Sequence, residues 1–173
     1  NKENHYRILT PFNIKSKILN EYGIDCLCKM NFSKSLSTIS AETFLDMIIN
    51  KYNPKTILIG YDNYFGHKRE GSYEFINKNK KYANIELIKI KQFKLNNTKV
   101  KSSIIKSLIE QCNIKKSNLL FNRNYSLCGF VIKGEGLGIK TGFRTANIRL
   151  LDNEQLIPGN GVYSVNLLVD QKN

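Results

Sequence analysis

Three stretches of the 173-residue chain hold residue types whose spacing could do chemistry. In "GEGLGIKTGFRTAN", residues 134–147, glycines at 134, 136, 138 and 142 lead into Thr145-Ala146-Asn147. Glycines leave backbone N–H groups uncovered, as a phosphate cradle requires. The stretch lacks the G-x-x-x-x-G-K-[ST] order of a P-loop and departs from the dinucleotide fingerprint. Thr145 and Asn147, two residues apart, could present a hydroxyl and an amide oxygen to one cation, hard ligands suited to a magnesium nucleotide. A glycine hairpin followed by an ordinary strand accounts for the same residues.

The second stretch is "GYDNYFGHKREGS", residues 60–72. Gly60 lets the backbone approach a ligand. Asp62 is an acceptor, Tyr61, Tyr64 and Phe65 supply flat apolar surface, and His67, Lys68 and Arg69 supply positive charge. That mixture suits a ring-bearing phosphorylated ligand; a polar loop whose aromatics cover a sheet edge is the plainer alternative. In the third, "VKSSIIKSLIE", Ser102 and Ser103 open a helix and Lys106 follows one turn later. Exposed N–H groups at a helix start carry partial positive charge, and hydroxyls with a lysine there make a phosphate seat. Helix-capping serines would look the same without a ligand.

These stretches need elements to hold them. From residue 12 to 112, helix and strand periods alternate. "FNIKSKILNEY" puts Phe12, Ile14, Ile18, Leu19 and Tyr22 on one helical stripe, stopped by Gly23. "IDCLCKMNF" then reads as a strand. Ser40 is a candidate N-cap for the helical "SAETFLDMIINKY", which Asn53-Pro54 breaks. "KTILIGYD" is a nearly continuous apolar strand of the kind buried on both faces in a parallel sheet. "SYEFINKNKKYA" reads as helix, "NIELIKIKQF" as strand and "SSIIKSLIEQC" as helix. This order predicts right-handed crossovers and a doubly wound α/β sheet, whose ligands bind beyond the C-terminal strand ends. After about residue 122, "YSLCGFVIKG", "TANIRLL" and "GVYSVNLLVD" read as three strands of an all-β unit, too few to close a barrel.

Composition narrows the class. The formal net charge of +13 invites a polyanionic partner, but the lysines scatter from Lys2 to Lys172 in nothing longer than pairs such as Lys80-Lys81 and Lys115-Lys116. The abundance of Asn, Lys and Ile, all encoded by AT-rich codons, explains the charge as well. Cys26, Cys28, Cys112 and Cys128 are too few for a disulfide framework and lack the partners of a zinc site, so reduced, mostly buried thiols are expected. The scattered lysines point away from a nucleic-acid partner, and the lack of an apolar run near the ~18 residues of a membrane span and of a secretory segment points to a cytoplasmic protein without a membrane partner. The start at Asn1 and a last strand-like run that stops at Asn173 predict a piece of a longer protein.

In order, "ILTPF..K", "IGYDNYFGHKREGSYEF", "VKSSIIKSLI", "YSLCG", "GFRTANI" and "LIPGNGVYSV" resemble the landmarks of the prokaryotic bifunctional riboflavin kinase/FMN adenylyltransferase family, also called FAD synthetase, over nearly the whole chain. The resemblance implies a Rossmann-like FMN adenylyltransferase domain over residues 1–122, missing its N-terminal strand. It also implies the start of an all-β riboflavin kinase barrel over residues 123–173. The first joins AMP from ATP to FMN, giving FAD; the second phosphorylates riboflavin to FMN. Mg²⁺ is the implied cofactor, ATP the co-substrate, and riboflavin, FMN and FAD the other partners.

By the same resemblance, Gly60, Asp62, Phe65 and Gly66 bind flavin, and Ser102, Ser103 and Lys106 hold ATP phosphates in the place of an S-S-T-x-I-R element. Ser103 stands where Thr is usual, Lys106 where Arg is usual, and Lys101 where the first Ser is usual. Gly134, Gly138 and Gly142 match the glycines before G-F-P-T-A-N, and Thr145 and Asn147 match the residues that hold magnesium-ATP. Ile139 replaces a common Arg, and Arg144 replaces a Pro that would fix φ near about −65°. The family's H-x-G-H motif and catalytic Glu are expected outside residues 1–173, so the chain alone is expected to be nearly inert. A basic nucleic-acid-binding protein and an inactive remnant of the enzyme are the alternative readings.

Overall fold

A computed structural model describes residues 7–134, 142 and 145–169 as a mixed α/β chain. It divides into two compact units, Cys28–Lys99 and Asn1–Leu27 with Val100–Asn173. The helices are α1 (Phe12–Glu21), α2 (Lys34–Ser37), α3 (Ala41–Tyr52), α4 (Tyr73–Lys78), α5 (Ser102–Glu110) and α6 (Ile114–Phe121). The strands are β1 (Thr56–Gly60), β2 (Glu86–Ile90), β3 (Lys94–Leu95), β4 (Thr98–Lys99), β5 (Gly129–Ile132) and β6 (Asn147–Leu150).

In the unit Cys28–Lys99, Ser40 starts α3 as its pattern predicts, its hydroxyl accepting from the Thr43 N–H at 3.1 Å. Capping of this kind satisfies one of the N–H groups a helix start leaves unpaired. Asn53, left-handed at φ 43°, ends the helix before Pro54. β1 and β2 pair in parallel from Thr56–Glu86 to Gly60–Ile90, with α4 in the connection. One face of this ladder, carrying Ile57, Ile59 and Leu87, packs on Leu45 and Ile49 of α3, on Ile76 and on Tyr82. Tyr82 donates its hydroxyl to Asp46 at 3.1 Å, and Lys81 bridges the same carboxylate at 2.6 Å and Glu42 at 3.0 Å. β3 and β4 form a small hairpin turned by Asn96 and Asn97, both at positive φ.

Three expectations fail here. β1 is not buried on both faces: Leu58 is 62% exposed, and Ile88 and Ile90 beside it are also exposed, because the helices of this unit cover one side of the ladder only. Residues 24–32 form no strand; every one is exposed, since no neighbouring strand pairs with them. Cys26 and Cys28 are therefore exposed rather than buried, as are Cys112 and Cys128, although all four are free thiols as expected.

In the other unit, α5 buries Ile105 and Ile109, and α6, which sequence periodicity did not single out, buries Ser117 and Leu120. Asn113 caps α6 by accepting from the Lys116 N–H. Ile8 bridges Gln155 in parallel, with Ile8 N–H donating to Glu154 O at 2.8 Å and Leu156 N–H to Ile8 O at 2.9 Å. Arg123 reaches Thr10 Oγ1 at 2.7 Å. β5 and β6 are antiparallel, Gly129 opposite Leu150 and Ile132 opposite Asn147. The third expected strand does not form: residues 162–169 have no ladder partner, and Val162, Val165, Leu167, Leu168 and Val169 are exposed.

Burial, followed by the neighbouring Asp46 carboxylate, pushes the Tyr82 hydroxyl up to about 12. An unfolded tyrosine ionises near about 10, so between the two values the folded chain holds a proton that the unfolded chain has lost. Stability is complete below that window and falls as pH rises through it. Tyr82→Phe should flatten this fall, measured as the midpoint of denaturant unfolding against pH; a wild-type slope in the variant would contradict it.

Candidate functional site

The loop that leaves the C-terminal end of β1 is fixed at several points. The Tyr61 N–H extends the ladder to Ile90 O at 3.0 Å, and the Tyr61 hydroxyl accepts from the Gln92 amide at 2.5 Å. Phe65 and Gly71 exchange two backbone hydrogen bonds at 3.1 and 2.9 Å, closing the loop on itself. The Phe65 ring is half-buried, 5.8 Å from Phe44 and edge-on to Phe75 at 6.4 Å. Tyr61 and Tyr64 are the exposed rings, with the Arg69 guanidinium 4.7 Å over Tyr64. Desolvation, then Asp62, pushes the Tyr61 hydroxyl above its ordinary value.

Gly66 sits where the loop crosses the start of α3. Its φ of 74° and ψ of 173° belong to a region that is essentially glycine-only. A Cβ there would lie 2.5 Å from both N and Cα of Ala41. Beyond it, His67 N–H donates to Ile39 O at 2.7 Å, His67 Nδ1 lies 3.1 Å from Ser37 O, and the Glu70 carboxylate accepts from the Ala41 N–H at 2.7 Å. Of the four residues assigned to flavin, Gly60 and Asp62 stand at the strand end and the exposed turn, whereas Phe65 and Gly66 are bound up in packing. Glu70 and His67 as anchors had no local signal, since their partners lie some 30 residues away.

The other candidate residues belong to the second unit. Ser102 and Ser103 are the first two residues of α5, but the cap position falls on Lys101, which makes no side-chain cap hydrogen bond. Capping is therefore not what these serines do. Both are exposed, and Lys106 is half-buried one turn on. An uncapped helix start flanked by hydroxyls is suited to receive an anion.

"GEGLGIKTGFRTAN" connects the antiparallel strands β5 and β6. Gly138, Ile139 and Arg144 lie outside the described residues. Gly134 packs so closely on Asn147 that an added Cβ would collide with the Asn147 amide nitrogen. Gly142 has φ 80° in open space. Thr145 is exposed just before β6, and Asn147 is the exposed first residue of β6, paired with Ile132. Among the described residues no group of three or more His, Cys, Asp and Glu side chains converges on a metal position.

A family model described as FAD synthetase matches residues 1–104, and one described as riboflavin kinase matches residues 121–173. The bifunctional riboflavin kinase/FMN adenylyltransferase of Buchnera aphidicola from Acyrthosiphon pisum is 35% identical over 160 residues, 92% of this chain and 50% of that protein. Enzymes of the same description from Listeria monocytogenes and Escherichia coli are 29% and 26% identical over 95% and 92% of this chain. The chain spans about half the length of the curated relatives it matches. A crystal structure described as a macrolide-efflux protein from Streptococcus pneumoniae superimposes with a TM-score of 0.80 at 26% identity, covering 90% of this chain and 49% of that one. Efflux stays with that protein's description; among the described residues no helix is long and apolar enough to cross a membrane.

Gly66→Ala would combine a backbone conformation costing on the order of 1–3 kcal/mol with a collision against the start of α3. Denaturant unfolding should show a loss of at least about 2 kcal/mol, against less than about 0.5 kcal/mol for Lys78→Ala at an exposed position of α4.

Proposed function

The chain belongs to the FAD synthetase family, and on that footing we propose that it is part of a bifunctional enzyme of flavin-cofactor biosynthesis. Residues 1–122 serve FMN adenylyltransferase chemistry and residues 123–173 serve riboflavin kinase chemistry. The observation that carries the reading is the loop Gly60–Gly66 at the C-terminal end of a parallel strand, where open α/β sheets take their ligands. Parallel pairing of β1 and β2 around α4 supports a doubly wound, Rossmann-like sheet. Antiparallel β5 and β6 support the beginning of a kinase barrel.

In adenylylation, an FMN phosphate oxygen attacks the α-phosphorus of ATP, the bond to the bridging oxygen breaks and pyrophosphate leaves. Gly60 and Asp62 meet the flavin with Phe65 and Gly66 shaping the loop, while the N–H groups and hydroxyls of Ser102 and Ser103 and the Lys106 ammonium hold ATP phosphates. Lysine acts there as a point charge and cannot grip phosphate bidentately as arginine does. In phosphorylation, the riboflavin 5′-hydroxyl loses its proton to a base, the catalytic Glu expected outside residues 1–173, as its oxygen attacks the γ-phosphorus; the bond to the bridging oxygen breaks and ADP leaves. Gly134, Gly138 and Gly142 bring bare backbone to the phosphates, and Thr145 and Asn147 are the hydroxyl and amide oxygen that would hold Mg²⁺. Their exposed, hard-oxygen donor set fits that ion. Bound Mg²⁺ would neutralise charge developing on the phosphates. As part of that enzyme the chain serves the cytoplasmic conversion of riboflavin, FMN and ATP to FAD, and its basic charge serves no nucleic acid or membrane.

Two measurements test this. Riboflavin or FMN titrated into the full-length protein with ATP and Mg²⁺ should change flavin fluorescence and yield FMN and FAD. No flavin signal and no product, together with salt-steep nucleic-acid binding, would favour the basic-protein reading. Thr145→Ala should lower riboflavin phosphorylation by roughly 10- to 100-fold, the cost of a misplaced reactant, while adenylylation of supplied FMN is spared. Equal loss of both activities would overturn the division of labour.

A further inference from the structure

The loop after β1 follows a path its own backbone does not favour. Lys68 and Arg69 are consecutive non-glycine residues at φ 51° and 62°, a left-handed run that L-residues seldom adopt. Backbone hydrogen bonds inside the loop, Phe65 with Gly71 and Arg69 N–H to Gly66 O at 3.2 Å, close the turn, and further contacts tie it to the rest of the unit. The contacts that tie it to its surroundings fall on the segment from the end of α2 to the start of α3: Gly66 against Ala41, His67 on Ile39 O and Ser37 O, and the Glu70 carboxylate on the Ala41 N–H. The Glu70 contact is charge-assisted and lies at the positive end of a twelve-residue helix, both of which strengthen it. Ala41, its partner, is fully buried, while Glu70 itself is exposed.

We propose that Glu70 is a positioning residue for flavin recognition: its carboxylate, clamped on the Ala41 N–H, holds the loop so that Asp62 and the Tyr61 and Tyr64 rings face the ligand. The inference rests on the assignment of flavin to the Gly60–Gly66 loop. Without the clamp the strain at Lys68 and Arg69 relaxes, and the competent loop conformation becomes a minority state. Apparent affinity then falls by the fraction of molecules that remain competent. Glutamine keeps an oxygen that can accept from Ala41 N–H and loses only the charge; alanine loses both.

The test compares wild type, Glu70→Ala and Glu70→Gln in the full-length protein by FMN titration, thermal melting and limited trypsin cleavage. In Glu70→Ala the FMN dissociation constant should rise roughly tenfold, the loss expected from one charge-assisted hydrogen bond. Cleavage after Lys68 and Arg69 should quicken, and riboflavin phosphorylation should be unchanged. Glu70→Gln should restore FMN affinity to within about twofold of wild type. Wild-type affinity in Glu70→Ala, or a loss of affinity that only tracks a fall in melting temperature of the whole protein, overturns the proposal. Unchanged cleavage after Lys68 and Arg69 in Glu70→Ala overturns the clamp without reference to any ligand. A wild-type protein that does not bind FMN while the clamp shows in the cleavage pattern overturns the flavin assignment and the recognition role with it, leaving the clamp itself standing.

Discussion

The start of α3 is the constraint on which residues 28–99 depend. Ala41 has no exposed surface, and three groups meet there: the Ser40 hydroxyl on Thr43, the Glu70 carboxylate on Ala41 itself, and the Gly66 backbone in van der Waals contact. One helix turn further, Leu45 enters the core beside Ile59, and Asp46 receives Tyr82 and Lys81. Moving the helix start would shift the loop, the core face of the ladder and the Asp46 cluster together. The loop at the strand end is thus tied to the helix it touches by packing and hydrogen bonds together.

The second unit is organised by polar closure as much as by burial. Gln155, almost wholly buried, donates its amide to Ser126 O at 2.7 Å, and Tyr125 donates to Leu156 O at 2.5 Å. With Ile8 laid alongside Gln155 and Arg123 on Thr10, the two ends of the described chain are stitched into one unit. Ile8 lies in the stretch matched as FAD synthetase and Gln155 in the stretch matched as riboflavin kinase. The stretches matched by the two family models therefore share a main-chain bridge. Substitutions in either segment act on a common packing unit.

What could be read from residue order and what could not divide along physical lines. α3, α5 and the β1–β2 pair were legible because their signals are local: a serine cap, a 3.6-residue apolar stripe, an unbroken apolar run. Residues 24–32 and 162–169 misled for the complementary reason. Alternation says which side chains would share a face, not whether a partner strand exists, and neither run has one. The β3–β4 hairpin had a readable signal in Asn96-Asn97, residues that tolerate the positive φ both adopt. α6 had the Asn113 cap but a weaker apolar stripe. The clamp by Glu70 could not be seen, because it joins positions 29 residues apart. For Ser102 and Ser103 the hydroxyls were legible and their freedom from capping was not, since that depended on where the helix began.

The outer face of the β1–β2 ladder has a consequence for the molecule in bulk solution. Leu58, Ile88 and Ile90 form an apolar strip beside strand edges that have no ladder partner among the described residues, the combination through which β-structures adhere to one another. Against this stands a net charge of +13, which keeps copies apart by mutual repulsion. Dissolved salt weakens the repulsion and leaves the attraction untouched, since charge is screened over roughly 10 Å at 0.1 M. The expected consequence is a colloidal stability that falls as ionic strength rises.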